Sequence, residues 1–391
     1  MKFDAIVIGA GPAGLSAAAA LGARGISTLV CESSRLPVDK ACGEGLMPSG
    51  IEDLARLGVP LSELRAEGQP FAGIRYFAES GRVAEARFAE GEGIGLRRVA
   101  LSELLLARVR RLSSVSVIQG VRARVRRERG DSGERFAVQL EGSLFEPRLI
   151  IGADGLNSQV RRHAHIVSKA MPPLRWGVRR HFEIEPWSDH VEVYWAKGAE
   201  AYVTPVGADR TNVALLFARD GLSTRSQGAL FERLLERFPA LARRLDGARS
   251  FGQARAAGPL HQWPARPLRR GLVLLGDASG YVDALTGEGI GVALRQALLL
   301  GEVIGPLLAE RSDEPIPSQE LWKFVRTERR ASRGARRLTR LLLWLERHPR
   351  LLEQAIARLS NNAGLFRRCL SANQGTTPLL GWPQHALHHP S

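Results

Sequence analysis

The sequence predicts an α/β protein built on a doubly wound parallel sheet, with a second, antiparallel sheet inserted in it and a helical carboxy-terminal segment. Three observations carry the prediction. Short β-branched, apolar runs at 3–8, 27–31, 148–151 and 271–275 each lead into a glycine or an acid, as buried parallel strands do before a βα turn. Between Trp176 and Phe217 the hydrophobic period changes to two, the mark of antiparallel strands. The last eighty residues return to a helical period, with arginines on one face and leucines on the other.

The first element is the strongest. Phe3-Asp4-Ala5-Ile6-Val7-Ile8 runs into Gly9-Ala10-Gly11-Pro12-Ala13-Gly14, a G-x-G-x-x-G turn, and an alanine-rich helix follows from Leu15 to about Arg24. A second strand, Ser27 to Cys31, then delivers Glu32. Strand, turn, helix, strand and terminal acid in about 30 residues form a Rossmann-like dinucleotide-binding unit. Gly9 permits the tight turn, Gly11 lets a diphosphate approach the backbone, and Gly14 lets helix and strand pack closely. Pro12 and Ala13 open the helix, whose unpaired N–H groups and positive dipole end face the diphosphate. Glu32 is placed to accept hydrogen bonds from an adenosine ribose. NAD and FAD are not separated by this unit.

Two distant segments separate them. Arg148 to Arg161 contains a strand followed by Gly152-Ala153-Asp154-Gly155-Leu156-Asn157-Ser158-Gln159-Val160-Arg161. Gly271 to Gly291 contains a strand, then Gly276-Asp277-Ala278, then Thr286-Gly287-Glu288-Gly289-Ile290-Gly291 before another Ala/Leu helix. These resemble the G-A-D-G-x-x-S-x-V-R and G-D-A…G-E-G-I motifs of the flavoprotein hydroxylase (para-hydroxybenzoate hydroxylase-like) and geranylgeranyl reductase superfamily. The resemblance covers most of residues 1 to about 310. It implies FAD as cofactor and a glutathione-reductase-type fold. In that superfamily the Gly276-Asp277 carboxylate lies on the ribityl and diphosphate region. The loop holding Gly287, Gly289 and Ile290 turns a helix N-terminus towards the flavin, where N–H groups stabilise the reduced ring. Asp154 has two readings, an Asx turn closing its strand and a contact near the cofactor.

The remaining site residues come from the same resemblance. Lys40-Ala41-Cys42-Gly43-Glu44-Gly45-Leu46 is similar to the K-x-C-G-x-G-L loop of geranylgeranyl-type reductases, which lies near the flavin ring. It makes Cys42 and Gly43 cofactor contacts and Cys42 a candidate catalytic proton donor or substrate contact; a plain loop filler is the competing reading. Glu44 reads as a backbone-capping or solvent-facing acid. An arginine at the start of the amphipathic helix carrying Leu101, Leu104, Leu105 and Val109 reaches the diphosphate in the superfamily, and Arg98 is preferred over Arg97. Val121, in an expected strand 121–125, occupies the position of a main-chain contact to adenine. The implied domains are 1–70, 98–165 and 258–310 for FAD, 71–97 and 166–257 for substrate, and 311–391 as a carboxy-terminal helical segment.

Composition bounds the rest. The chain has 391 residues and a net charge of +15, but lysine occurs only at 2, 40, 169, 197 and 323, and the other 50 of its 55 basic residues are arginines scattered along the sequence. No nucleic-acid module accompanies them, so solvated faces are expected and no nucleic-acid partner. Three cysteines, Cys31, Cys42 and Cys369, provide neither a disulfide framework nor metal-ligand spacing. The amino terminus has no signal-peptide anatomy, and a cytoplasmic location is expected. The amphipathic arginine-rich helices near 336–345 leave peripheral membrane contact open beside simple packing on the cofactor domain.

Three functions follow from the resemblance: reduction of a double bond in an apolar small molecule, monooxygenation, and non-catalytic carriage of a prenyl group. Intact glycine motifs and Gly276-Asp277 argue against the carrier. Gly280 stands where hydroxylases commonly carry histidine, and Thr286-Gly287-Glu288-Gly289 is reductase-like. Ala201-Tyr202-Val203-Thr204-Pro205 departs from the Y-x-W-x-F-P segment of geranylgeranyl reductases and leaves the prenyl substrate open. Aromatics at Trp176, Phe182, Trp187, Tyr194, Trp195 and Tyr202 suggest an apolar substrate. With one dinucleotide unit visible, NADH or NADPH would dock transiently as electron donor.

Overall fold

The computed structural model describes residues 2–130, 133–170, 174–218 and 226–373. A six-stranded sheet forms the base, in the order Leu268–Arg269, Leu272–Leu274, Leu149–Gly152, Ala5–Ile8, Thr28–Glu32 and Val115–Gln119. All its pairs are parallel except the short edge strand at 268–269. The four motif strands lie side by side because each is apolar on both faces and must be covered on both. The helix Pro12–Gly22 crosses the helix Gly289–Val303 closely, and a Cβ on Gly301 would stand 3.1 Å from that of Ala20. The alanine-rich face permits that approach.

The inserted sheet has seven strands, ordered Arg249–Ala257, Arg175–Glu183, Arg210–Ala218, Ala199–Gly207, His190–Ala196, Gly73–Phe77 and Val83–Arg87. It is antiparallel apart from the pairing of His190–Ala196 with Gly73–Phe77. One face packs on Phe231, Leu234 and Leu241 of two short helices, and its aromatics Phe182, Tyr194 and Trp187 belong to that cluster. The other face carries Val191, Val193, Trp195 and Tyr202, which pack with Leu343, Ile356 and Phe366 of the terminal helices.

Two expectations shift. The strand expected at 121–125 begins at Arg124 and runs to Gly130, paired as a hairpin with Gly133–Leu140. Val121 stays outside it because its N–H donates to the Glu32 carbonyl at 3.1 Å. The terminal helices Arg333–Glu346, Pro349–Ser360 and Ala363–Asn373 cover the inserted sheet, not the cofactor-domain sheet as simple packing anticipated. The last residues, including His385, His388 and His389, lie outside the described residues. Among those described, no helix is long and apolar enough to cross a membrane.

Candidate active site

The three glycines of the first turn are small for different reasons. Gly9 has φ +105°, and a Cβ there would stand 2.5 Å from the Ala153 carbonyl oxygen. A Cβ on Gly14 would run into the carbonyl of Gly9. A Cβ on Gly11 would meet open space, with only Arg98 Nη2 at 3.5 Å. Gly9 and Gly14 therefore serve the fold, whereas Gly11 keeps room above the helix N-terminus. Pro12 at the first helical position has no N–H to leave unpaired, and Gly11 gives the helix no side-chain cap. The remaining first-turn donors face that room, the arrangement a diphosphate requires. Glu32 closes the turn from the next strand: one carboxylate oxygen accepts from Ala10 N–H at 2.9 Å and the other from Ser34 N–H at 3.0 Å. An ionised carboxylate has further lone pairs for a ribose.

Gly11, Pro12 and Ala13 open onto a cavity of about 910 Å³, at the upper end of ordinary ligand pockets. Arg98, the first residue of the helix Arg98–Arg110, reaches it with a guanidinium whose Nη1 is buried and has no hydrogen-bond partner among the described residues. Arg97 turns away and lies over the Phe251 ring at 5.5 Å. Burial pulls the Arg98 pKa down and pushes that of Asp277 up, while Lys40 and Arg98 act against the rise at Asp277. Asp154 lines the same wall: one oxygen accepts from Gln159 and Val160 N–H at 2.6 and 3.1 Å, and the other is buried without a partner. The first oxygen bears out the turn-closing reading, and the second is left facing the cavity side with no partner among the described residues. Gly276 sets the Gly-Asp turn against Ala13, and its N–H donates to Gln296 at 2.7 Å. Gly287, Gly289 and Ile290 complete this end, at the start of the helix Gly289–Val303. An orphaned arginine nitrogen beside the open side of Gly11 fits the phosphates of a cofactor, and the orphaned Asp154 oxygen would accept from its hydroxyl groups. Gly9, Gly14, Glu32 and Val121 do not line this cavity.

Cys42 and Gly43 line the cavity on a loop held from three sides. Asn212 Nδ2 donates to the carbonyls of Cys42 and Gly43 at 3.1 and 3.2 Å. Glu44 is buried, which excludes the solvent-facing reading; its carboxylate accepts from Arg98 N–H at 2.8 Å and contacts His181 Nε2 at 2.6 Å. The other ring nitrogen of His181 faces Arg179 Nη1 at 3.3 Å. A guanidinium only donates, so His181 Nδ1 accepts, and the ring proton sits on Nε2 and is donated to Glu44. Arg179 in turn is paired with Asp39. Burial, then the Glu44 charge, push the Cys42 thiol up to about 11, so Sγ keeps its proton at neutral pH. Sequence reasoning missed His181, Arg179 and Asp39; the surplus of polar residues in a buried strand, Arg175–Glu183, signals the first two, and nothing in the sequence signals Asp39.

Beyond this loop the cavity becomes apolar. Ile74, Val193, Trp195 and Tyr202 form its floor, and Leu338, Leu342 and Phe366 of the terminal helices form its roof. Of the six aromatics suggested for substrate, Trp195 and Tyr202 line the cavity, while Trp176, Phe182, Trp187 and Tyr194 pack on the opposite cluster. One buried guanidinium fastens roof to floor. Arg175 is paired with Glu200, with Asp283 at 3.0 Å and with Glu346 at 3.1 Å, joining sheet, cofactor loop and terminal helix. Burial raises the Glu200 carboxyl to about 7, against the pull of Arg175.

The chain matches the family model described as FAD binding domain over residues 2–318. It is 28% identical over 341 residues to digeranylgeranylglycerophospholipid reductase 2 of Methanopyrus kandleri, covering 83% of this chain and 81% of the relative. It is 27% identical over 321 residues to a menaquinone reductase of Mycobacterium tuberculosis, covering 77% and 76%. In fold it is similar to PqsL, a probable FAD-dependent monooxygenase from Pseudomonas aeruginosa, with TM-score 0.74, 20% identity, and coverage of 93% of this chain and 100% of that one. It is likewise similar to the myxobacterial halogenase CndH, with TM-score 0.77, 19% identity, and coverage of 95% and 92%. The chain belongs to the FAD binding domain family and is an FAD-dependent oxidoreductase.

Proposed function

We propose that this enzyme reduces a carbon–carbon double bond of an apolar, lipid-like small molecule. The observation that carries the reading is Cys42 on the wall of one cavity that is glycine-lined and charged at one end and walled by leucine and aromatic side chains at the other. Bound FAD supplies hydride transfer. Arg98, Asp277, Asp154 and the Gly11 and Gly287–Gly291 backbone would hold it. Cys42 holds a proton at Sγ, available to the alkene carbon that does not receive the hydride. Glu44, His181 and Asn212 keep that loop in register, and the apolar walls exclude water from the reacting carbons. The relatives named as reductases of a digeranylgeranylglycerophospholipid and of menaquinone support a substrate of this class.

The electron donor in this reading is NADH or NADPH, docking transiently at a basic opening. Arg97 and Arg210 lie over the Phe251 ring at 5.5 and 4.4 Å, and Arg255 lines the cavity beside Asp39. Guanidinium groups around an aromatic ring suit a dinucleotide's phosphates and rings.

Menaquinone and geranylgeranyl lipids serve as probes. With NADPH and enzyme under labelled oxygen, product should gain two hydrogens on the carbons of a side-chain double bond, distinct from any on the quinone oxygens, and no oxygen atom. Labelled oxygen in the product would overturn reduction in favour of monooxygenation.

A further inference from the structure

The terminal helices that roof the apolar half also expose large apolar side chains. Leu341 is 50% exposed and Trp344 47%, and Leu351 and Leu365 are exposed as well. All four also line the cavity, so the outer surface and the substrate space share one lip. The lip draws on three successive helices, Arg333–Glu346, Pro349–Ser360 and Ala363–Asn373.

Its fringe is strongly basic. Between Arg333 and Arg368 stand nine arginines and two glutamates. Glu346 is paired with Arg175 in the interior, and Glu353 accepts from Ser80 N–H and Oγ at 3.1 and 2.7 Å. Arg337, Arg340, Arg347 and Arg350 are exposed, one helical turn or less from Leu341, Trp344 or Leu351. Leucine and tryptophan on a helical surface with arginine beside them is the composition of an interfacial helix: the rings and branched chains enter the headgroup boundary while guanidinium groups stay at phosphate depth.

We propose that the lip formed by Leu341, Trp344, Leu351 and Leu365 docks on an anionic lipid bilayer, and that the apolar substrate passes through it from the bilayer into the cavity. The occupant is a bilayer because the exposed apolar patch is continuous with a space for an apolar molecule, which concentrates in lipid and not in water. The positive fringe selects anionic headgroups. The purpose of the docking rests on the apolar-substrate reading, but the docking itself is measured without substrate or turnover.

FAD-loaded full-length enzyme is sedimented with vesicles of phosphatidylcholine containing phosphatidylglycerol, and with vesicles of phosphatidylcholine alone. Partition onto the anionic vesicles and its weakening by salt are expected. Arg337→Gln, Arg340→Gln and Arg347→Gln combined should lower it about a hundredfold, from roughly fivefold per arginine. Leu341→Ser with Trp344→Ser should lower it with every charge kept. Retained flavin absorbance shows that the variants are folded. Brominated lipid should quench wild-type fluorescence more than that of Trp344→Phe. No partition onto either vesicle, or partition unchanged in both combined variants, overturns the proposal and leaves the patch to a protein partner. Loss of double-bond reduction with vesicle binding intact would count against the proposed reaction alone.

Discussion

The two ends of the cavity are built by opposite means. At the cofactor end, backbone makes the site: Gly9, Gly11 and Gly14 shape one turn, and Gly276, Gly287 and Gly289 bring two more loops beside it. At the apolar end, side chains from a sheet and three helices enclose the space, and a single buried Arg175 with Glu200, Asp283 and Glu346 fastens them. A backbone site tolerates little change at its glycines. A side-chain site tolerates apolar exchange but depends on its fastening.

The largest expected effect separates two glycines within the first end. Gly14→Ala puts a Cβ into the Gly9 carbonyl and should leave little folded protein, because neither backbone can give way. Gly11→Val should fold, with a normal circular dichroism spectrum and thermal transition, yet purify without flavin. A flavin-loaded Gly11→Val enzyme would break the distinction between fold glycine and ligand glycine.

The fastening of the other end comes next. Arg175→Met strands three buried carboxyl groups, and should cost about 3–5 kcal/mol in denaturant unfolding. An unchanged midpoint would mean that the roof is held by apolar contact alone. Glu32→Ala is smaller: it removes charge-assisted bonds to Ala10 and, in the superfamily reading, to the ribose. FAD affinity should fall about ten- to a hundredfold, at about 1.5–3 kcal/mol per such bond, as titration of apoenzyme would register.

The smallest effect is a pH slope. Glu200 rises from 4.5 to about 7 through burial, so between those values the folded state binds more protons than the unfolded one. Its contribution is fully present below about pH 4.5 and is lost as pH rises to about 7. Glu200→Gln should flatten the stability profile across that window. A slope identical to wild type would assign the titration to Asp283, whose carboxyl burial also raises.

This contrast also decides what the sequence revealed. The cofactor end was legible because each part is local: strand, glycine turn and acid lie within 30 residues of one another or repeat as short motifs. Asp154 could be read both ways because its two oxygens do different work. The apolar end was hardly legible. There Arg175 reaches Asp283 across 108 residues, and on the Cys42 loop Glu44 and His181 meet across 137, distances over which no spacing rule operates. The apolar face of the arginine-rich stretch near 336–345 was visible in the sequence, but nothing in it named what that face would cover. Val121 read as strand from its apolar neighbours, but a hydrogen bond to Glu32 holds it in the turn before the hairpin.

In the proposed reaction both ends of the cavity act together, with the Cys42 proton between them. The most direct measurement is anaerobic stopped-flow mixing of photoreduced enzyme with a geranylgeranyl lipid, for wild type and Cys42→Ser. Flavin absorbance should recover in the wild type without oxygen, at a rate comparable to turnover. It should recover markedly more slowly in the variant, which should retain its FAD. Recovery only after oxygen is admitted, or equal rates in the two proteins, would contradict the account.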